Sequence, residues 1–288
     1  MTSPPPPDVT RYKPVRRLIH RHSVVVRVTH WTAVVCIAIL LMSGLQIFNA
    51  HPALYWGERS DFDHPLLRMS ARSTGGDFVG VTTLFGHSFR TTGWLGASTA
   101  PSGRITARGF PAWITLPSYQ DLATGRRWHF FFAWLLVLIG SVYLIYSLIG
   151  GHAWRDLTPS REQLHGIGTS LRDHARLRFP EGKEAEHYNV LQKLSYVFVG
   201  FVLVPVLVLA GLAMSPGVDS VAPLLPDMFG GRQSARTIHF VAAFLLVGFA
   251  LVHILMVLLS GVFNNLRSMI TGNYAVTYKD ASDADRSL

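Results

Sequence analysis

Apolar residues gather into four long stretches, Trp31–Phe48, Trp128–Ile149, Leu194–Met214 and Ile238–Val262, each bounded by polar or proline-containing sequence. A helix rises about 1.5 Å per residue, so roughly 20 apolar residues cross a hydrocarbon layer about 30 Å thick. The pattern predicts four membrane spans, over residues 29–49, 128–150, 190–214 and 236–262. Polar atoms at Ser43, Gln46, Ser141 and Ser147 interrupt the stretches, which a bundle tolerates where they face protein. Pro205 removes a backbone donor inside the third span and predicts a kink there. The expected fold class is all-α and integral to the membrane, a four-helix bundle.

The connecting segments divide the chain further. Residues 1–28 form an N-terminal arm, 29–272 the membrane domain and 273–288 a polar tail expected to be mobile. Residues 50–127 make a long loop rich in Gly, Ser, Thr and Pro, with Trp56, Trp94, Trp113 and Tyr119 in it. A loop of that length is usually functional. Its Gly75-Gly76 lacks the Lys-Ser/Thr of a phosphate-binding loop.

Composition agrees: 49% of residues are hydrophobic and 15% charged, a balance suited to lipid as solvent. The first apolar run is longer than a signal-peptide core and has no clear small-residue cleavage site, so it reads as a retained span. The net charge of +9 is a topology signal here, not a nucleic-acid signal. Arg11, Lys13, Arg16, Arg17, Arg21 and Arg27 precede the first span, and Arg155, Arg161, Arg172, Arg176, Arg178 and Lys183 fill the loop between spans two and three. Both sets place their segments in the cytoplasm. The expectation is a multi-pass protein of the bacterial inner membrane with both termini cytoplasmic and residues 50–127 outside.

Histidines in the spans then carry the chemistry. His239 and His253 stand fourteen residues apart in the last stretch. Fourteen residues return to within about 40° of the starting face, about 21 Å along the axis. Two imidazoles on one face, one near each end, suit two haems stacked across a bilayer. With the predicted topology His129 shares the outer level with His239, and His30 the inner level with His253. An ionisable group in a bilayer is a functional candidate by default, and here four fall into two depth-matched pairs. His51, His64, His87, His152 and the cytoplasmic histidines read as surface residues. The single cysteine, Cys36, and the absence of Cys-x-x-Cys-His exclude covalent haem attachment, so any haem is b-type. Gly44, fourteen residues beyond His30, lies level with the other haem and leaves room for a macrocycle. Gly140 and Gly248 fit that role or ordinary helix packing. Arg27, one turn before His30, is either a haem-propionate partner or a positive-inside charge.

Over residues 20–50 and 125–270 the chain resembles the bacterial di-haem cytochrome b superfamily, the membrane subunits of nickel–iron hydrogenase, formate dehydrogenase and thiosulfate reductase together with cytochrome b-561. The matching pieces are Arg27-x-x-His30-Trp31, Ser43-Gly44-Leu45, Arg127-Trp128-His129, Tyr188-Asn189-x-x-Gln192-Lys193 and the His239/His253 pair. The resemblance implies two non-covalent b haems with bis-histidine ligation and electron exchange with membrane quinone. It implies a quinone contact at Asn189 and Gln192, which otherwise read as a helix cap and a surface amide. Gln46–Gly57 and the long loop look like the branch found beside periplasmic molybdopterin oxidoreductases. The chain departs from the hydrogenase branch in its four spans and longer first external loop. The expected function is an electron conduit between a periplasmic redox subunit and quinone. The alternatives are an autonomous superoxide:quinone oxidoreductase and a haem-free anchor or proton transporter.

Overall fold

A computed structural model describes residues 15–75, 77–151, 160–176 and 190–278. Four helices are long and apolar enough to cross a membrane: α1 (Val24–Phe48), α2 (Leu122–Ile149), α3 (Val190–Ala213) and α4 (Arg232–Leu259). Of the most apolar stretch of α2 only 6% is buried inside the protein, and of α4 only 11%. Helices this apolar and this uncovered need lipid around them.

The helices begin earlier than their hydrophobic stretches. Asp121 accepts the Thr124 amide at 3.0 Å as an N-cap, so α2 starts six residues before the predicted span and carries Arg126 and Arg127 in its second turn. α4 likewise starts at Arg232 and ends at Leu259. Where Pro205 predicts a kink, the helix widens into one π turn, Val199–Leu203, immediately before the proline's turn. The missing proline donor falls in that adjusted segment.

Two compact units divide the chain, with boundaries inside each long helix: Val28–Ile145 with Phe198–Leu251, and Met1–Arg27 with Tyr146–Val197 and Val252–Leu288. The all-α expectation is corrected in both, because each also holds antiparallel strands.

In the first unit the long loop is a folded cap. Strands β2 (Ala53–Leu54), β3 (Leu67–Thr74), β4 (Asp77–Leu84) and β5 (His87–Arg90) form one antiparallel sheet in that order, and β6 (Ala97–Thr99) pairs with β7 (Ile105–Ala107). Leu54, Met69 and Phe110 of the cap pack with Leu45 and Phe48 of α1 in one buried cluster. Buried Asn49, just past α1, accepts the Phe110 amide at 2.6 Å and donates to its carbonyl at 3.3 Å. Arg108, also buried, donates to the Phe110 and Ser118 carbonyls and to Thr115 Oγ1 at 2.8–3.0 Å, and burial lowers its pKa. The start of α4 fastens the cap: Ser234 Oγ accepts the Gly57 amide at 2.7 Å and Thr237 Oγ1 donates to the Tyr55 carbonyl at 2.6 Å. A second cluster of Leu203, Ala242 and Leu246 joins α3 to α4. Side-chain partners thus satisfy the Tyr55, Gly57 and Phe110 backbone groups where the loop meets the helices.

In the second unit, β1 (Val15–His20) pairs with β8 (Asn273–Tyr278), Val15 opposite Tyr278 and His20 opposite Asn273. Residues 273–278, expected as part of a mobile tail, are thus a strand. An even number of spans returns the chain to its starting side, as this pairing requires. After α4 comes α5 (Val262–Thr271), framed by Gly261 at φ 106° and Gly272 at φ 88°, conformations that suit glycine. The Asn264 side chain donates to the Ala275 carbonyl at 2.9 Å and accepts its amide at 3.0 Å. The Arg21 guanidinium lies 4.5 Å from the Tyr274 ring centre.

Candidate functional site

His129 is seven residues past the start of α2 and His239 seven past the start of α4, so each stands two turns in from the end that carries the cap. Both fall in the first unit, with ring centroids 6.2 Å apart and planes inclined at 65°. The depth match that sequence spacing predicted for this pair is a direct juxtaposition.

Neighbouring spans fix which nitrogen each ring presents. The His239 Nδ1 stands 2.8 Å from the Leu207 carbonyl of α3, an acceptor only, so Nδ1 carries the proton. Ser43 Oγ, wholly buried on α1, donates its single proton to the Ile39 carbonyl at 2.7 Å. Toward His129 Nδ1, 3.1 Å away, the serine is therefore an acceptor, and this ring too is protonated at Nδ1. Both Nε2 lone pairs are then available as ligands. A metal-bound histidine commonly has its other nitrogen held by a carbonyl or similar acceptor in this way.

Glycines back both rings. A Cβ on Gly44 of α1 would stand 3.2 Å from His129 Cε1, and one on Gly211 of α3 would stand 3.2 Å from His239 Cε1. The space that Gly44 leaves open thus borders the His129 imidazole. At Gly140 and Gly248 no heavy atom of the described residues lies within 4 Å of a Cβ position, so neither is a helix-packing contact.

The pair fits haem iron. An imidazole bonds a metal at about 2 Å, so ring centres 6.2 Å apart are compatible with both rings reaching one iron. Two nitrogens are too few for a bare ion, and among the described residues no group of three or more His, Cys, Asp or Glu could hold one. They suffice for iron whose other four positions a porphyrin supplies.

His30 and His253 lie in different units; the His30 ring meets Trp31 edge-on, with centroids 5.2 Å apart. Arg27 Nη1 donates to the Ile270 carbonyl at the end of α5. Gln192 is the third residue of α3 and is exposed, while Asn189 and His152 lie outside the described residues. Sequence reasoning missed the Ser43 hydroxyl, the Leu207 carbonyl and Gly211. Ser43 had a signal, since it adjoins Gly44; a backbone carbonyl has none. It also took His51 for a surface residue. His51 stacks on Tyr55 with ring centroids 5.6 Å apart, and its carbonyl accepts from Arg236 Nη2 at 2.6 Å.

Comparison with known proteins agrees with this chemistry. The chain is 29% identical over 247 residues to a putative protein-methionine-sulfoxide reductase subunit, YedZ1, of Azospira oryzae, covering 86% of this chain and 93% of that protein. No solved structure matches. Residues 21–272 match the family described as prokaryotic cytochrome b561, and the chain belongs to that family of membrane cytochromes, whose cofactor is b-type haem.

Proposed function

We propose that this chain is the membrane subunit of a two-component reductase, carrying electrons from membrane quinol to a soluble redox enzyme outside. The observation that supports it most is the His129/His239 pair, with both Nδ1 protons engaged and both Nε2 atoms free to ligate. Bound haem supplies a one-electron ferric/ferrous couple at each site. His129 and His239 hold the outer haem, with the Ser43 hydroxyl and Leu207 carbonyl orienting them. With both imidazoles engaged as ligands, the bound group would pass electrons rather than take up oxygen. For the inner haem the sequence offers His30 and His253 as ligand candidates. Asn189 and Gln192 supply amide donors to a quinone carbonyl at the inner level, near His253.

The partner is a periplasmic redox enzyme of the molybdopterin class, as the resemblance implies. From the Azospira relative comes its substrate class, methionine sulfoxide in protein. Reducing one sulfoxide to thioether and water takes two electrons and two protons, as many as oxidation of one quinol releases. Electrons then run outward. The cap fastened to α4 by Ser234 and Thr237 supports this reading over an autonomous oxidoreductase, because it offers a folded surface near His239 on which a partner can dock. The membrane is the bacterial inner membrane, with both termini cytoplasmic.

Purified chain should contain two b haems by pyridine haemochrome assay and be reduced by a short-chain quinol. Addition of a co-purified soluble subunit with methionine sulfoxide should reoxidise it. Haem-free protein would refute the whole reading, and reoxidation by superoxide without any subunit would favour the autonomous one.

A further inference from the structure

Two arginines near the cap end of the first unit are held in different ways. Arg108 engages all three guanidinium nitrogens, on two carbonyls and a hydroxyl of the cap. Arg236, half-buried on α4, makes one hydrogen bond, from Nη2 to the His51 carbonyl at 2.6 Å. Its guanidinium carbon lies 5.4 Å from the Phe48 ring centre. A guanidinium has five N–H donors, and among the described residues no carboxylate faces this one. A cation within a membrane span is costly unless something answers its charge.

Its position says what does. Phe48 lies four residues beyond Gly44 on α1, and Gly44 backs the His129 ring. Arg236 lies three residues before His239 on α4. α1 runs toward the cap and α4 away from it, so both steps lead about one turn, roughly 5 Å, from the histidine pair toward the cap. The arginine's β-carbon also leans that way, toward the helix N-terminus. The charge is felt locally: burial lowers the His51 pKa first, and Arg236 and Arg68 lower it further.

We propose that Arg236 is the counter-charge for a propionate of the haem held by His129 and His239. A b haem carries two propionate carboxylates on one edge, and arginine matches a carboxylate with paired donors. The His51 carbonyl and the Phe48 ring aim the guanidinium and leave its other donors for the propionate. This makes Arg236 a positioning residue for the cofactor, and it rests on the outer-haem reading above.

Redox titration of the full-length protein tests it, with His129→Ala identifying which signal is the outer haem. Removing the positive charge leaves the propionate anionic and disfavours the added electron. Arg236→Gln should therefore lower the outer haem's midpoint potential by about 59 mV, a tenfold shift in its ferric/ferrous equilibrium, and leave the inner haem unmoved. Arg236→Lys, which keeps the charge, should restore most of it. Loss of the outer haem in the Gln variant with retention in the Lys variant also supports the proposal. An unchanged potential in Arg236→Gln overturns it, as does equal haem loss in both variants, which would make Arg236 a fastener of the His51 turn. If His129→Ala removes no haem, the outer-haem reading has itself failed, and the proposal falls with it.

Discussion

The two compact units are fastened by different means. In the unit with the cap, single side chains reach across to backbone groups: Asn49 to Phe110, Thr237 to Tyr55, Ser234 to Gly57. In the other, a backbone ladder of six residue pairs joins β1 to β8, and Asn264 clips its end to α5. A ladder tolerates changes in its side chains, because the backbone makes the bonds. The histidine pair depends instead on particular atoms of neighbouring spans, Ser43 Oγ and the Leu207 carbonyl, and on two absent side chains, at Gly44 and Gly211. Substitutions at single residues should therefore cost more chemistry in the first unit and mainly stability in the second.

The largest effect should come from filling the space behind a ligand ring. In Gly44→Leu the Cβ alone would meet His129 Cε1 at 3.2 Å, and the rest of the side chain has to displace the ring. Haem content should fall by one of two per chain, read by pyridine haemochrome assay. Retention of both would show that the ring moves freely and that Gly44 is incidental.

Ser43→Ala removes the acceptor at His129 Nδ1 and leaves Nε2 in place. Loss of such a partner typically weakens metal binding about 10–100-fold. The Leu40 carbonyl also lies within reach of this ring, so a value near tenfold is expected. Haem release to an excess of apomyoglobin measures it, and wild-type kinetics would contradict the assigned tautomer.

In the second unit Asn264→Ala removes both bonds to Ala275. Leaving those groups unsatisfied costs about 1–3 kcal/mol, which should lower thermal stability in detergent while both haem spectra persist. A change in the outer haem's spectrum would instead contradict a purely stabilising role for Asn264.

The smallest effect concerns quinone. Asn189→Leu or Gln192→Leu should keep both haems and weaken quinone affinity about threefold to tenfold, the worth of one hydrogen bond. The rate of haem reoxidation across added quinone concentrations reports it. Wild-type rates at all concentrations would move the pocket to the other haem.

The spans were legible because hydropathy over about 20 residues is a strong signal, and the depth of His129 and His239 followed from counting residues along helices. The cap was not legible. Its strands are short, and its order depends on Asn49 and Ser234 meeting backbone groups far away in sequence. The pairing of β1 with β8 joins segments more than 250 residues apart, where no local pattern applies. Gly44 was legible as a position at the right level, yet its contact with an imidazole needed coordinates.

Whether His129 and His239 ligate one and the same haem is tested most directly by a haem count across alanine variants. Wild type should hold two b haems per chain, His129→Ala one, His239→Ala one and the double variant still one, because both residues serve a single iron. A double variant with no haem, beside singles that each keep one, would show that the two histidines serve different haems and would contradict the pairing.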